Sequence, residues 1–157
     1  MAENLFPIGY EKEIITAEDL TYEKPIGYRN GIAFDYEQGD FPRDGTKKLL
    51  DSTGIESWQA WCFNCIQTER YRHLAYSTDF GIETEAAMKA RSRDEAERIL
   101  TRQITEALMA DPYKRTAYVS RIKYNWTAPD GVIVDVTAHG INDVTIDITA
   151  YITRGGR

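Results

Sequence analysis

From Tyr118 onward the chain alternates, and that period limits the folds open to it. Tyr118, Ile122, Tyr124 and Trp126 are set between Val119, Arg121, Lys123 and Asn125. Val132, Val134, Val136 and Ala138 then alternate with Ile133, Asp135 and Thr137, and Val144, Ile146, Ile148, Ala150 and Ile152 with Thr145, Asp147, Thr149, Tyr151 and Thr153. A period of two marks strands that bury one face. Pro129-Asp130-Gly131 and the stretch Gly140–Asp143 supply turns. The expectation is a three-strand antiparallel meander with an apolar side that needs a cover.

Two helical patterns upstream supply that cover. Thr53 with Glu56 forms a capping box signature, and Ile55, Trp58, Cys62, Cys65 and Ile66 follow at helical spacing, flanked by Trp61, up to about Thr68. Ser92 with Glu95 opens a second pattern, in which Ala96, Ile99, Leu100, Gln103, Ile104, Ala107 and Leu108 form the apolar stripe before Asp111-Pro112 ends it. Ahead of the first helix, Ile32, Phe34 and Tyr36 alternate with Ala33, Asp35 and Glu37, the period of a half-buried strand; Gln38-Gly39 turns the chain, and Asp40-Phe41 begins a return strand that Pro42 stops. Residues 1–31 show no sustained period and read as an extended arm, the kind of segment that a partner commonly orders. The fold class is therefore α+β: two main helices on a C-terminal antiparallel sheet, with an N-terminal arm (1–31) and a short hairpin, and residues 32–157 as a single domain.

Between the helices lies Thr68–Glu83, dense in charge and aromatic rings. Tyr71–Ser77 reads as a strand from its aromatic content. Ser77-Thr78-Asp79-Phe80-Gly81 is turn chemistry, with Gly81 in a left-handed conformation, and a short helix is expected within Ile82–Ala90. Glu69 and Arg70, with Arg72, suit a device that fixes the junction, because guanidinium and carboxylate match as a two-pronged pair. Arginine among tyrosines is also the composition of interface hot spots.

Catalytic and metal chemistry finds little support. Cys62 and Cys65 sit inside the helical pattern rather than at a helix start, where a redox pair is activated. Zinc would need two further ligands, and the two histidines, His73 and His139, are not spaced as a pair. The cysteines read as small apolar residues one turn apart on a buried face. A glycosidase pair could be drawn from Glu69 with Asp79 or Glu83, but nothing else marks a saccharide cleft. His73 and Ser77 are too far apart along a strand to bond, and there is no Gly-x-Ser-x-Gly elbow, P-loop or His-Glu-x-x-His. No cofactor is expected.

A net charge of -6 with no basic stripe argues against nucleic acid as a partner. No apolar run approaches the roughly 20 residues of a membrane span, and MAENLFPIGY lacks the basic and apolar segments of a signal peptide, so a cytoplasmic product is expected. The last strand, if exposed, carries unpaired backbone groups that could accept a strand from another chain; the arm or the hairpin could equally cover it.

Several of these pieces together resemble the XkdS-like family of contractile-tail baseplate proteins, found in phages and PBSX-type prophages. They are Ala33-Phe34-Asp35-Tyr36-Glu37 with Gly39-Asp40-Phe41, Gly54-Ile55-Glu56 before a tryptophan-bearing helix, Thr68-Glu69-Arg70-Tyr71-Arg72, and Tyr76-Ser77 with Asp79-Phe80-Gly81-Ile82-Glu83. That family resembles the baseplate wedge protein that initiates the tail sheath, often labelled "lysozyme-like". Its hallmark is a Glu-(Pro)-Arg element followed by an aromatic-glycine turn, matched here by Glu69-Arg70 and Phe80-Gly81. This chain has no proline between Glu69 and Arg70, and its N-terminal arm is longer than the minimal wedge protein's.

The resemblance implies a non-enzymatic virion subunit of the tail baseplate, present in six copies and assembled in the host cytoplasm. It would sit on baseplate wedge proteins and offer a sheet to which tail sheath protein adds strands, with hub, spike or tube proteins as further neighbours. Glu69, Arg70, Tyr71, Arg72 and Gly81 would form the structural junction. Val144, Ile146, Ile148 and Tyr151 would meet the sheath, and Phe6, Ile8 and Tyr10 would carry the arm's contacts. Two competing expectations are a muramidase using Glu69, as the label suggests, and a general protein adaptor.

Overall fold

The computed structural model describes residues 26–35, 38 and 40–153. The alternating third forms β3 (Thr116–Ala128), β4 (Gly131–Gly140) and β5 (Thr145–Thr153), paired antiparallel in the order β3-β4-β5. Two left-handed residues, Asn142 (φ 60°) and Asp143 (φ 57°), turn β4 into β5; these residue types tolerate that region best after glycine.

Two helices cover one face of the sheet. Helix α1 (Gly54–Gln67) packs on β5 and α3 (Arg93–Met109) on β3, while a short α2 (Thr84–Met88) packs on α3. Trp58, Ile66, Leu100, Ile104 and Leu108 from the helices meet Val132, Val134, Val136, Ile146 and Ile148 from the sheet in one buried cluster. The Thr53 box is complete, with Glu56 N–H on Thr53 Oγ1 at 3.3 Å and Thr53 N–H on Glu56 Oε2 at 2.8 Å. At α3 the box is displaced by one residue. Ser92 Oγ accepts from Glu95 N–H, while Glu95 Oε2 takes Arg91 N–H.

Tyrosine and tryptophan tips are anchored where the layers meet, as partly polar rings require. Trp58 Nε1 donates to Thr116 Oγ1 at 3.0 Å, Trp126 Nε1 to Glu97 Oε1 at 2.9 Å, and the Tyr124 hydroxyl lies 2.7 Å from that of Thr101. Gly140 is required beneath Trp58, because a Cβ there would lie 2.7 Å from the indole.

Four expectations need correction. Tyr118 is exposed rather than inward: a register shift between Val119 and Arg121 reverses the alternation, and Tyr118 stacks on His139 at 4.4 Å. Ile55 in the first turn of α1 is also exposed, since the covered stripe begins at Trp58.

The third correction is the hairpin. Asp35 and Asp40 form a single bridge, but β1 (Gly31–Ile32) pairs with β2 (Asp51–Ser52) instead of with the 40–41 segment. Ala33 N–H continues this pairing to Leu50 O, and Leu50 N–H bonds Pro42 O. Proline has no N–H to extend a ladder to residue 35's side, so the chain crosses to a later segment. The apolar face expected of Ile32 and Phe34 is exposed, at 52% and 36%; Tyr36 and Gly39 lie outside the described residues.

The fourth is the arm boundary. Residues 26–31 lie against the body, with Gly27 N–H on Tyr113 O, the Tyr28 ring 5.6 Å from Trp58 and the Tyr28 hydroxyl donating to Ile141 O. Residues 1–25, including Phe6, Ile8 and Tyr10, lie outside the described residues.

Candidate functional site

The junction after α1 is closed by backbone. Ile82 N–H donates to Thr68 O and Arg70 N–H to Ile82 O, each at 3.0 Å, making a parallel bridge between Glu69 and Ile82. Between these strands of the neck, residues 71–79 are all exposed, in the form of a surface Ω-loop. The strand expected over Tyr71–Ser77 is absent. Three successive turns stand in its place, closed by Arg72 N–H to Glu69 O, Tyr76 N–H to His73 O and Phe80 N–H to Ser77 O. A strand needs a neighbour to pair with, and among the described residues none lies beside this segment; aromatic content alone does not provide one.

Glu69 and Arg70 do not pair with each other. Glu69 reaches across the neck to Thr84, whose N–H lies 3.1 and 3.2 Å from the two carboxylate oxygens and whose hydroxyl donates to Oε2. Glu83, the N-cap residue of α2, makes no capping bond of its own, so a carboxylate fifteen residues upstream satisfies the helix start. Arg70 Nε donates to Gly81 O at 3.0 Å, and Gly81 N–H points at Cys65 Sγ at 3.4 Å. Gly81 has φ +92°, and a Cβ on it would lie 2.7 Å from Thr68 O and 3.1 Å from Arg70 N. Tyr71 enters the loop at φ +66°, a conformation few non-glycine residues adopt.

Rings tie the loop to the core. His73 contacts Tyr76 at 5.6 Å, Tyr76 contacts Phe80 at 4.6 Å, and Phe80 contacts Trp61 at 5.8 Å. Behind Trp61 lies the Arg115 guanidinium, 5.7 Å from the ring, clamped by Asp111 through Nε–Oδ2 and NH2–Oδ1 bonds of 2.8 Å. Both side chains of this pair are buried. The sequence showed Asp111 only as a helix stop; its spacing of four from Arg115 across Pro112 was the available signal. Leu74 and Tyr71 remain among the exposed large hydrophobics.

The second surface is the outer edge of β5. Gly140 N–H bonds Val144 O, and this pairing fixes the phase of the ladder, so Ile146, Ile148, Ala150 and Ile152 turn their backbone groups toward β4. Thr145, Asp147, Thr149 and Tyr151 direct theirs outward. Gln59 Nε2 accordingly reaches the Asp147 carbonyl at 3.2 Å. The side chains of Ile146 and Ile148 are buried in the protein's own core, Val144 is half-buried and Tyr151 is exposed. What this edge exposes is therefore backbone and the side chains of the odd-numbered residues.

The thiols are inert by environment: burial pushes Cys62 up most, and Cys65 up to about 11. Among the described residues no cluster of three or more histidine, cysteine or acidic side chains forms a metal site, and no helix is long and apolar enough to cross a membrane. A surface depression of about 390 Å³ contains Glu69, Glu83 and Arg70. Both oxygens of Glu69 within it are taken by Thr84.

A loop closed at its neck, a helix-backed sheet and a β5 edge that pairs with no further strand among the described residues make up a small α+β subunit. The family model described as the contractile injection system sheath initiator matches residues 30–143, and the chain belongs to that family. It is a structural component of sheath initiation in a contractile tail, located in the tail and baseplate and interacting with tail sheath and baseplate components. A comparison with curated proteins returned no match. Nothing in the comparison or the geometry favours the muramidase reading.

Proposed function

We propose that the edge of β5 is the seed on which the first sheath ring forms, receiving a strand from a sheath subunit. The observation that carries this reading is the outward set of backbone groups at Thr145, Asp147, Thr149 and Tyr151 on a strand packed against α1. Strand addition uses such groups for affinity. Buried Ile146 and Ile148 act from behind the strand by fixing its position, and exposed Tyr151 meets the partner directly.

The loop bounded by Glu69 and Ile82 faces the baseplate wedge proteins. Glu69, Arg70 and Gly81 hold its neck, while Tyr71 and Arg72 open onto the partner. Residues 1–25, with Phe6, Ile8 and Tyr10, clasp a neighbouring wedge, hub, spike or tube protein. Six copies surround the tail tube, assembled in the host cytoplasm. The subunit has no catalytic role.

Thr149→Pro tests the seed. Proline removes an outward N–H and is tolerated on an edge strand. Particles carrying it are expected to show, by electron microscopy, baseplates and tubes without sheath. Sheaths of normal length and number would overturn the proposal.

A further inference from the structure

Two exposed surfaces of this chain are opposite in charge and alike in apolar content. The first is a groove of about 530 Å³, walled by the β1 and β2 segments, the flank of α1 and residues 147–149 of β5. Ile32, Phe34 and Leu50, with Ala60 and Phe63 of α1, make it apolar, and the first three are among the protein's exposed large hydrophobics. Its ionisable lining is acidic, from Asp51, Glu56 and Asp147, and includes no lysine or arginine.

The second is the Ω-loop past the far end of α1. Leu74, near its middle, is fully exposed, and Tyr71 and Tyr76 on either side are exposed as well. From Arg70 to Thr78 the loop holds two arginines and no acidic residue, in a chain whose net charge is -6. The Glu69–Ile82 bridge closes its neck, so these apolar residues are presented on an ordered loop, which lowers the entropy lost on docking. Helix α1 has 14 residues and is therefore about 20 Å long, with the groove on its first turns and the loop beyond its last. No residue of the loop lines the groove of its own chain.

We infer that the loop of one copy docks in the groove of a second copy, seating Leu74 against Ile32, Phe34 and Leu50 and setting the loop's arginines beside Asp51 and Asp147. Charge complementarity selects this occupant. A basic apolar loop meets an acidic apolar groove, whereas loop on loop or groove on groove would set like charges together. Two copies laid antiparallel along α1 make both contacts at once, so the exchange closes as a two-fold dimer. The contact belongs to the subunit before assembly. Only its release rests on the reading proposed above: a wedge protein that takes the loop vacates the groove and opens the β5 edge to the sheath.

The test uses the full chain alone in solution, so its result does not depend on whether a wedge protein takes the loop. Sedimentation equilibrium is expected to show a concentration-dependent dimer that weakens as salt rises. Leu74→Asp, at a fully exposed position, should raise the dissociation constant by at least about tenfold, and Ile32→Asp should do the same from the groove side. Met109→Asp, at an exposed apolar position on α3 outside both surfaces, should leave it unchanged. Circular dichroism checks that each variant is folded. Cross-linking reads the location: Leu74→Cys in one copy and Ile32→Cys in another should join through a short bis-maleimide, and Leu74→Cys with Met109→Cys should not. The native thiols are buried and do not compete. A monomer at every concentration, a dimer indifferent to Leu74→Asp, or no cross-link between positions 74 and 32 would overturn the inference.

Discussion

Glu69 and Thr84 stand fifteen residues apart in sequence and are joined by both the N–H and the hydroxyl of Thr84. Thr84 is buried, so removing the carboxylate leaves two donors without a partner. Glu69→Ala is expected to lower stability by about 1–3 kcal/mol, read from urea midpoints at constant slope, with Glu69→Gln losing less. An alanine variant as stable as the parent would show that water replaces the cap.

Asp111 and Arg115 form the one salt bridge among the described residues whose side chains are both buried. Truncating either partner leaves a buried charge, and each of Asp111→Ala and Arg115→Ala should cost about 3–5 kcal/mol. The double variant should lose less than the sum of the two, because no unpaired charge remains. Additive losses in denaturant unfolding would mean that the two groups do not act as a pair.

Gly81→Ala places a methyl 2.7 Å from Thr68 O at φ +92°. The neck must open or strain, and a loss of about 1–3 kcal/mol is expected. Limited proteolysis should then cut within residues 71–79 faster than in the parent. Unchanged cleavage and stability would place the turn's tolerance elsewhere.

Burial raises the Cys65 thiol from 9.0 to about 11, partly offset by the Gly81 N–H and by Arg70. A folded-state value above the unfolded one favours the protonated thiol, so its contribution is complete below pH 9 and falls as pH rises through about 11. Thermal midpoints should drop over that window, and Cys65→Ala should flatten the drop. At pH 8 a thiol reagent should label native protein far more slowly than protein in urea. Fast native labelling would contradict the burial of both cysteines.

The candidate site was only partly legible. Glu69, Arg70 and Gly81 stood out by type, and the turn at Gly81 followed from glycine's freedom at positive φ. Their bonds did not follow. Adjacent opposite charges suggested a mutual pair, whereas each reaches a different backbone or side chain across the neck. The groove was missed altogether: Ile32 and Phe34 were placed in a hairpin's buried face, and Leu50, Ala60 and Phe63 carried no signal joining them.

The sequence by itself determined the three strands, the long helices, their caps and most turns. Those features depend on neighbours two to four residues apart, where period and hydrogen bonding act locally. Only the tertiary structure decided which segment pairs with β1, which way Tyr118 faces, how the neck between Glu69 and Ile82 closes, and that a groove lined by Ile32, Phe34 and Leu50 borders β5. Each depends on groups far apart in the chain, as Tyr28 and Ile141 are, whose meeting is set by how the helices settle on the sheet.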